Sequence, residues 1–152
     1  MSGERMPSYF LSVLGNKCPR CREGKIFKSG NAYDLKESRY IKMNDKCPVC
    51  GQPTEIEVGF YYGTGYVSYA ITIGLSVATF IAWWVLIGFS IQDNRIFYWL
   101  GLNSLALVVL QPVIMRFSRS IWLSWFVKYD KDWAGKAADN NERVVPEHMG
   151  NW

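Results

Sequence analysis

Histidine is nearly absent from this 152-residue chain, and its scarcity removes a large class of enzyme sites. The single histidine, His148, belongs to a polar C-terminal segment. The sequence offers no serine–histidine–aspartate set, no paired buried carboxylates and no glycine loop suited to a phosphate. We therefore expect no catalytic residues, no small-molecule substrate and no enzymatic activity from this chain alone.

Charge is absent from two long apolar stretches, Val58–Gln92 and Ile96–Met115. About 20 residues of helix cross the hydrocarbon core of a bilayer, so both stretches are long enough to do so. The lack of ionisable groups inside them argues against a proton or ion pathway. We also expect no signal peptide, because Glu4, Arg5 and Pro7 interrupt the first residues.

The two stretches predict a membrane α-helical hairpin over residues 59–115. Its first crossing helix is expected at about 67–91, and its second at about 96–115. The aromatic and glycine-rich residues 59–66 are typical of an interfacial belt and a flexible joint. The charged connection between the crossings is short, so the helices should be antiparallel.

Small residues recur at every fourth position of the first crossing: Ala70, Gly74, Ala78 and Ala82. This spacing lets two helix backbones approach closely. Three hydroxyl residues that lie beside them could form hydrogen bonds across the contact: Ser68, Thr72 and Ser76. The pattern predicts a packing face, either for the second crossing or for a partner membrane protein.

Polar residues and a proline interrupt the second crossing at Asn103, Gln111 and Pro112. Polar side chains at depth either mark a ligand path or hold helices together, and the second role is favoured here. Pro112 has no backbone N–H, so the carbonyl of Val108 loses its donor and we expect a kink.

All four cysteines lie in two C-P-x-C pairs, and each pair predicts a metal-binding turn: Cys18, Cys21, Cys47 and Cys50. Two such pairs are typical of a closed four-thiolate zinc site that stabilises a fold. Iron is the alternative, because similar turns hold iron in rubredoxin-like proteins and thiolate softness does not separate the two metals. An iron form would be red and redox-active.

The cysteine pairs lie in a predicted N-terminal head, residues 15–58, which we interpret as a small β-rich zinc ribbon. Three short β-prone runs lie between turn residues: Ile26–Phe27, Tyr40–Met43 and Glu55–Val58. The head has too few apolar residues to offset its ordering entropy, so the metal should supply the missing stability. Residues 1–14 are an N-terminal lead-in. They could form a short amphipathic segment, but a flexible tip that is partly packed on the head is favoured.

Two further segments follow the hairpin. If residues 116–129 form a helix, aromatic and aliphatic residues lie on one side of it and polar residues lie on the other. This pattern predicts an interfacial amphipathic helix. The alternative is an extension of the second crossing beyond the membrane. Residues 130–152 are polar and of mixed charge, and we expect a disordered tail.

Basic residues are placed unevenly, and their placement predicts the orientation. Sixteen of the seventeen Lys and Arg residues lie outside the loop between the crossings, so both ends should be cytoplasmic. A reducing compartment also suits thiolate ligands. Four basic residues form a strip next to the first cysteine pair: Arg20, Arg22, Lys25 and Lys28. We expect this strip to contact anionic lipid headgroups rather than nucleic acid. A membrane-tethered regulator that binds nucleic acid is retained as an alternative function.

The order of these features resembles the bacterial family catalogued as domain of unknown function 983. The resemblance rests on the run Cys18–Phe27 (CPRCREGKIF), on Cys47–Gly51 (CPVCG), on the two crossings and on the ending Gln111–Tyr129. Members often begin their first cysteine pair with C-P-x-C-G, whereas Arg22 follows Cys21 in this chain.

The resemblance implies a cytoplasmic four-cysteine zinc head on two transmembrane helices of the bacterial inner membrane. It also implies an accessory or assembly role, because genes of this family often lie near those for haem–copper oxidase subunits and their assembly factors. The expected function is therefore that of a non-enzymatic accessory, docking or assembly component of a membrane complex. The competing function is electron transfer by a rubredoxin-like iron site.

Overall fold

The computed structural model describes residues 8–88, 90 and 92–138 of the chain, and these residues contain three α-helices. Helix α1 covers Tyr9–Leu14, α2 covers Thr64–Ile87 and α3 covers Arg95–Phe126. Helices α2 and α3 form the predicted antiparallel hairpin. The cysteine-bearing head packs around the C-terminal part of α3.

Helices α2 and α3 are long and apolar enough to cross a membrane. In the most apolar 18-residue window of each helix, 0% of the residues are buried inside the molecule. A core helix of a soluble protein would have most of this surface covered. The exposed apolar surface therefore indicates membrane association.

Helix α2 begins and ends earlier than predicted, at Thr64 and Ile87 rather than near residues 67 and 91. Gly88 follows it with a φ of 83°, a backbone conformation that glycine adopts without steric cost and that ends the helix. Residue 91 itself lies outside the described part of the chain. Upstream, Phe60–Gly63 form a 3₁₀ turn, so the expected flexible joint is an ordered entry to the helix.

Asn103 joins the two long helices. Its side-chain amide donates a hydrogen bond to Ser76 Oγ at 3.2 Å, and Thr79 Oγ1 donates one to Asn103 Oδ1 at 3.0 Å. Nearby, the rings of Phe80 and Trp99 meet edge to face with their centroids 5.1 Å apart. These contacts bear out the helix-joining role favoured for Asn103.

The small-residue face of α2 is exposed rather than packed against α3. All four of its members are exposed, and no atom lies within 4 Å of a Cβ built on Gly74. The interpretation that this face packs on the second crossing is therefore wrong. Its use by a partner protein remains a prediction.

Helix α3 runs without interruption through Pro112 and Arg116 to Phe126. The prediction of a separate helix over 116–129 is therefore wrong, and the alternative of an extended second crossing matches the structure. The polar side of this extension faces the head, because Arg116, Ser118 and Ser120 are buried there. The head supplies hydrogen-bonding partners that make this burial favourable.

The head contains no β-strand among the described residues, so the predicted β-rich ribbon is wrong. Three isolated antiparallel bridges take its place: Lys17 with Lys25, Phe27 with Met43, and Lys46 with Pro53. The β-prone runs are only two to four residues long, and tight turns on either side prevent them from extending into ladders.

The apolar core of the head is completed by α3. Ile26 and Phe27 pack with three of the cysteines against Leu123 and Val127 from the end of the helix. Leu123 is only 1% exposed. The head thus shares its core with α3, and the side chains of this helix stabilise it besides any stability that a metal would add.

Both ends of the described chain are ordered against this core. Helix α1 contacts α3, and Tyr9 forms a hydrogen bond with Ser124, so residues 9–14 form a packed helix instead of a flexible tip that only partly packs on the head. Residues 131–135 form turns, and Trp133 packs on the core, which contradicts predicted disorder in this part of the tail. Residues 1–7 and 139–152, with His148, lie outside the described residues.

Candidate metal centre

The four cysteines come together at one point in the head. Their sulfur atoms all lie within 4.8 Å of one another, with Cys18 and Cys50 separated by 3.7 Å and Cys21 and Cys47 by 3.8 Å. All four are free thiols, three are buried and Cys50 is partly exposed. The structure thus assembles the predicted cysteine set into a cluster that could hold a metal ion.

Each cysteine pair sits in a turn that is closed by backbone hydrogen bonds. In the first turn, the N–H of Cys18 donates to the Gly24 carbonyl at 2.7 Å, and Gly24 N–H donates to Cys21 Sγ at 3.5 Å. In the second, the N–H of Cys47 donates to the Gln52 carbonyl at 2.8 Å. One antiparallel bridge flanks each turn, so the two halves of the site repeat the same local design.

The residue after each pair adopts the left-handed backbone conformation. Gly51 has a φ of 70°, and Arg22 has a φ of 59° at the equivalent position. This conformation is costly for arginine. The Arg22 guanidinium lies 4.3 Å from the ring centroid of Tyr129, a favourable cation–π contact. The departure from C-P-x-C-G therefore leaves the turn intact.

Gly24 is a site residue that the sequence did not single out. A Cβ at this position would overlap with Cys47 Sγ and would lie 3.2 Å from a methyl group of Val49. Only glycine lets the first turn pass so close to a cysteine of the second turn. The C-x-x-C-x-x-G spacing was visible, but the approach between the two turns depends on the three-dimensional fold.

The donor set fits a tetrahedral metal ion. With metal–sulfur bonds of about 2.3 Å, the sulfurs of a tetrahedral zinc site are roughly 3.8 Å apart. The two short separations, 3.7 Å and 3.8 Å, match this edge length. Thiolate sulfur is the donor that zinc and iron share, so the geometry fits both metals and does not identify the ion.

The thiols of Cys18, Cys47 and Cys50 differ in pKa because they lie close together and are buried to different degrees. Hydrogen bonding to Cys47, together with burial, raises the pKa of Cys18 far above its ordinary value. The same hydrogen bond lowers the pKa of Cys47 to about 5, and burial raises the pKa of Cys50 to about 11. A cation is needed before several thiolates can be stable together at such distances.

Two arginines of the predicted basic strip contact other parts of the protein instead of facing lipid headgroups. Arg20 is 6% exposed, donates hydrogen bonds to the carbonyls of Lys136 and Ala137, and pairs with Asp130 at 3.6 Å. Arg22 stacks on Tyr129. These arginines fasten the segment after α3 to the first cysteine turn, which leaves only the two lysines of the strip exposed.

Arg116 and Arg119 attach the head to α3, a role that the sequence analysis did not foresee. Arg116 is 4% exposed and donates to the carbonyls of Tyr40, at 2.6 Å, and Ser29, while Arg119 donates to Ile41 at 2.9 Å. Burial lowers the pKa of both guanidinium groups, yet arginine stays charged at neutral pH. Their position directly after the apolar stretch was the available signal.

Comparison with known families gives a match over residues 38–126 to the family described as "Protein of unknown function (DUF983)". The match covers more than half of the chain. The chain belongs to the DUF983 family. The resemblance inferred from the cysteine pairs and the crossings is thereby confirmed. Comparison with curated proteins and with solved structures found no match.

The matched part of this DUF983 protein contains the second cysteine pair, both long helices and the arginines that hold the head. The first pair, Cys18 and Cys21, precedes it. Family membership, two helices that could span a membrane and a four-cysteine cluster together fit a membrane metal-binding protein.

Proposed function

We propose that this DUF983 protein is a non-enzymatic membrane protein with a structural zinc site, and that it serves as an accessory, docking or assembly component of a membrane complex. The observation that carries the proposal is the four-sulfur cluster, which lies in the head at its contact with the end of α3. A metal ion at this place would fix the head relative to the membrane helices.

The surroundings of the cluster favour a structural role over catalysis. Four cysteines fill a tetrahedral shell, whereas a catalytic zinc site keeps one position open for water or substrate. Around the sulfurs lie apolar side chains, among them Ile26, Phe27 and Leu123. The part of the chain that the structure describes contains no histidine to serve as a general base.

A rigid junction is what a docking component needs. Arg116 and Arg119 bind carbonyl groups of the head, and Trp122 donates a hydrogen bond to the Phe60 carbonyl at 2.8 Å. These contacts tie the head to the beginning of α2 and to the end of α3. The head would therefore present one fixed surface to a partner.

The surface proposed for a partner inside the membrane is the small-residue face of α2, Ala70, Gly74, Ala78 and Ala82. Its exposure leaves it accessible to another helix. Close approach of backbones is the usual way in which such faces pack. We propose that the partner is a membrane protein of a larger assembly, and a respiratory oxidase is the candidate that the gene neighbourhoods of the family suggest.

The proposed location is the bacterial inner membrane, with both ends in the cytoplasm. Arg20 in the head bonds to carbonyls of residues 136 and 137 beyond α3, so the two described ends lie on the same side of the hairpin. The distribution of Lys and Arg supports the cytoplasmic side. Reporter fusions at the two ends would test this orientation, and periplasmic signals from both would contradict it.

Metal analysis and a visible spectrum of the purified full-length protein test the metal assignment. We expect about one zinc per chain and a colourless sample. A red sample with stoichiometric iron would favour electron transfer instead. Affinity purification from native membranes, followed by mass spectrometry, tests the accessory role. Recovery of a stoichiometric membrane partner is expected, and repeated recovery of the protein alone would contradict that role.

A further inference from the structure

A loop of the head lies beside α3 at the level where the apolar stretch of the helix ends. Arg116 is the first charged residue after Ile96–Met115, and it binds the Tyr40 carbonyl and, at 3.4 Å, the Gly30 carbonyl. The loop of residues 30–40 therefore has both of its ends close to the point where the apolar stretch of α3 ends. In a membrane-spanning hairpin, this point corresponds to the lipid headgroups.

Between these two anchoring points, the loop descends along the apolar part of α3. The Tyr33 hydroxyl donates a hydrogen bond to the Val109 carbonyl at 3.1 Å. Val109 precedes Arg116 by seven residues, which is about 10 Å along a helix. The side chains of Tyr33 and Leu35 are 49% and 65% exposed. The position of the Tyr33 hydroxyl beside Val109 puts this side chain next to the acyl chains of the leaflet on the head side, and Leu35 lies two residues further along the same loop.

Basic side chains surround a cavity at the base of this loop. The cavity has a volume of about 440 Å³ and is lined by Lys28, Ser29, Asp34, Arg39 and Lys42. Its one acidic residue, Asp34, pairs with Arg39 at 3.5 Å. Lys28 is 4.0 Å from the exposed Asp45, and Lys28 and Lys42 also line an adjacent cavity that contains Asp45 and Glu55. Among the residues that line the cavity at the base of the loop, three are basic and one is acidic. The cavity thus carries a positive charge.

We propose that this cavity binds the phosphate of an anionic phospholipid in the leaflet on the head side. Lys28 and Lys42 would bind the phosphate oxygens, and Tyr33 and Leu35 would lie beside the acyl chains. The depth of the loop and the charge of the cavity come from different residues, yet they point to one ligand with a charged head and an apolar tail. Lysines close to an anionic leaflet contribute favourably to such binding.

Native mass spectrometry of the full-length protein in detergent tests this proposal by titration with phosphatidylglycerol and with phosphatidylcholine. The test variant is Lys28→Gln/Lys42→Gln. The control, Lys128→Gln/Lys131→Gln, removes the same charge from exposed positions beyond the end of α3. We expect the wild type and the control to prefer phosphatidylglycerol, and the test variant to bind it about tenfold or more weakly.

Equal retention of phosphatidylglycerol by the test and control variants would overturn the proposal, as would equal binding of the two lipids by the wild type. Full competition by millimolar glycerol phosphate would assign the cavity to a soluble phosphate and would also overturn it. Helix content and metal content of each variant show whether the fold is intact. Because the cavity contains no cysteine, a failure here leaves the metal site untouched.

Discussion

The α-carbon of Gly24 faces the sulfur of Cys47 with no space for a side chain between them. Gly24 also accepts a hydrogen bond from Cys18 and donates one to Cys21. One residue thus contacts three of the four cysteines and sets how closely the two turns approach. The first prediction follows from this arrangement.

Replacement Gly24→Ala should displace the Cys47 sulfur and weaken metal binding, because the new methyl carbon would lie much closer to that sulfur than van der Waals contact allows. Perturbing the groups that hold metal ligands usually costs about tenfold to a hundredfold in affinity. Gly30→Ala is the matched control, since no atom lies within 4 Å of a Cβ at that position. Metal retention against a chelator is the measurement, and equal retention by the two variants would contradict the prediction.

Replacement Cys47→Ser should unfold the head while the helical hairpin remains in the membrane. Metal binding to a small domain supplies folding free energy directly, so the loss of one ligand removes much of it. The hairpin should persist because Asn103 and the Phe80–Trp99 contact lie away from the head. Limited proteolysis with mass spectrometry measures the effect, and a protease-resistant head in this variant would refute the metal-dependent fold.

Much of the architecture could be predicted because its signals are local. The C-x-x-C spacing places two sulfurs on one turn, and a 20-residue run without charge suffices to define a crossing. The role of Asn103 was likewise predictable from its depth. These features depend on residues that are close together in the sequence.

The junction could not be predicted because it depends on residues that are far apart. The phasing of residues 116–129 placed Arg116 and Ser120 on the polar side of an expected interfacial helix. In the structure this side meets the head, where Ser120 donates to Asn16 Oδ1 at 2.7 Å. No pattern within one segment indicates a core that Ile26 and Leu123 share.

Leu123 is the side chain of α3 that lies deepest in this shared core, and Leu123→Ala should destabilise the head strongly. Truncation of a buried leucine costs about 2 to 5 kcal/mol because the cavity relaxes only partly. Leu105→Ala is the control, since Leu105 is 63% exposed. Thermal unfolding in mild detergent, followed by protease sensitivity of the head, measures the difference. Similar midpoints for the two variants would count against the shared core.

Arg116→Met should loosen the loop of residues 29–41 from α3. Methionine keeps an apolar chain against Phe27, whose ring centroid lies 4.5 Å from the guanidinium, but it leaves the bound carbonyls without a donor. Each buried polar group left unpaired costs about 1 to 3 kcal/mol. Hydrogen exchange at the Tyr40 and Ile41 amides should therefore accelerate. The exposed Lys128→Met provides the control, and unchanged exchange in Arg116→Met would show that the arginine is not the anchor.

Replacement Ala78→Leu tests the small-residue face of α2 as a surface for a membrane partner. Ala78 is exposed, so the isolated protein should keep its thermal stability when the side chain is enlarged. A helix that packs closely on this face would be pushed away, so recovery of a membrane partner in mild detergent should fall several-fold. Ala106→Leu makes the same change at an exposed position of α3 and should leave recovery intact. Undiminished recovery with Ala78→Leu would exclude the face as a partner surface.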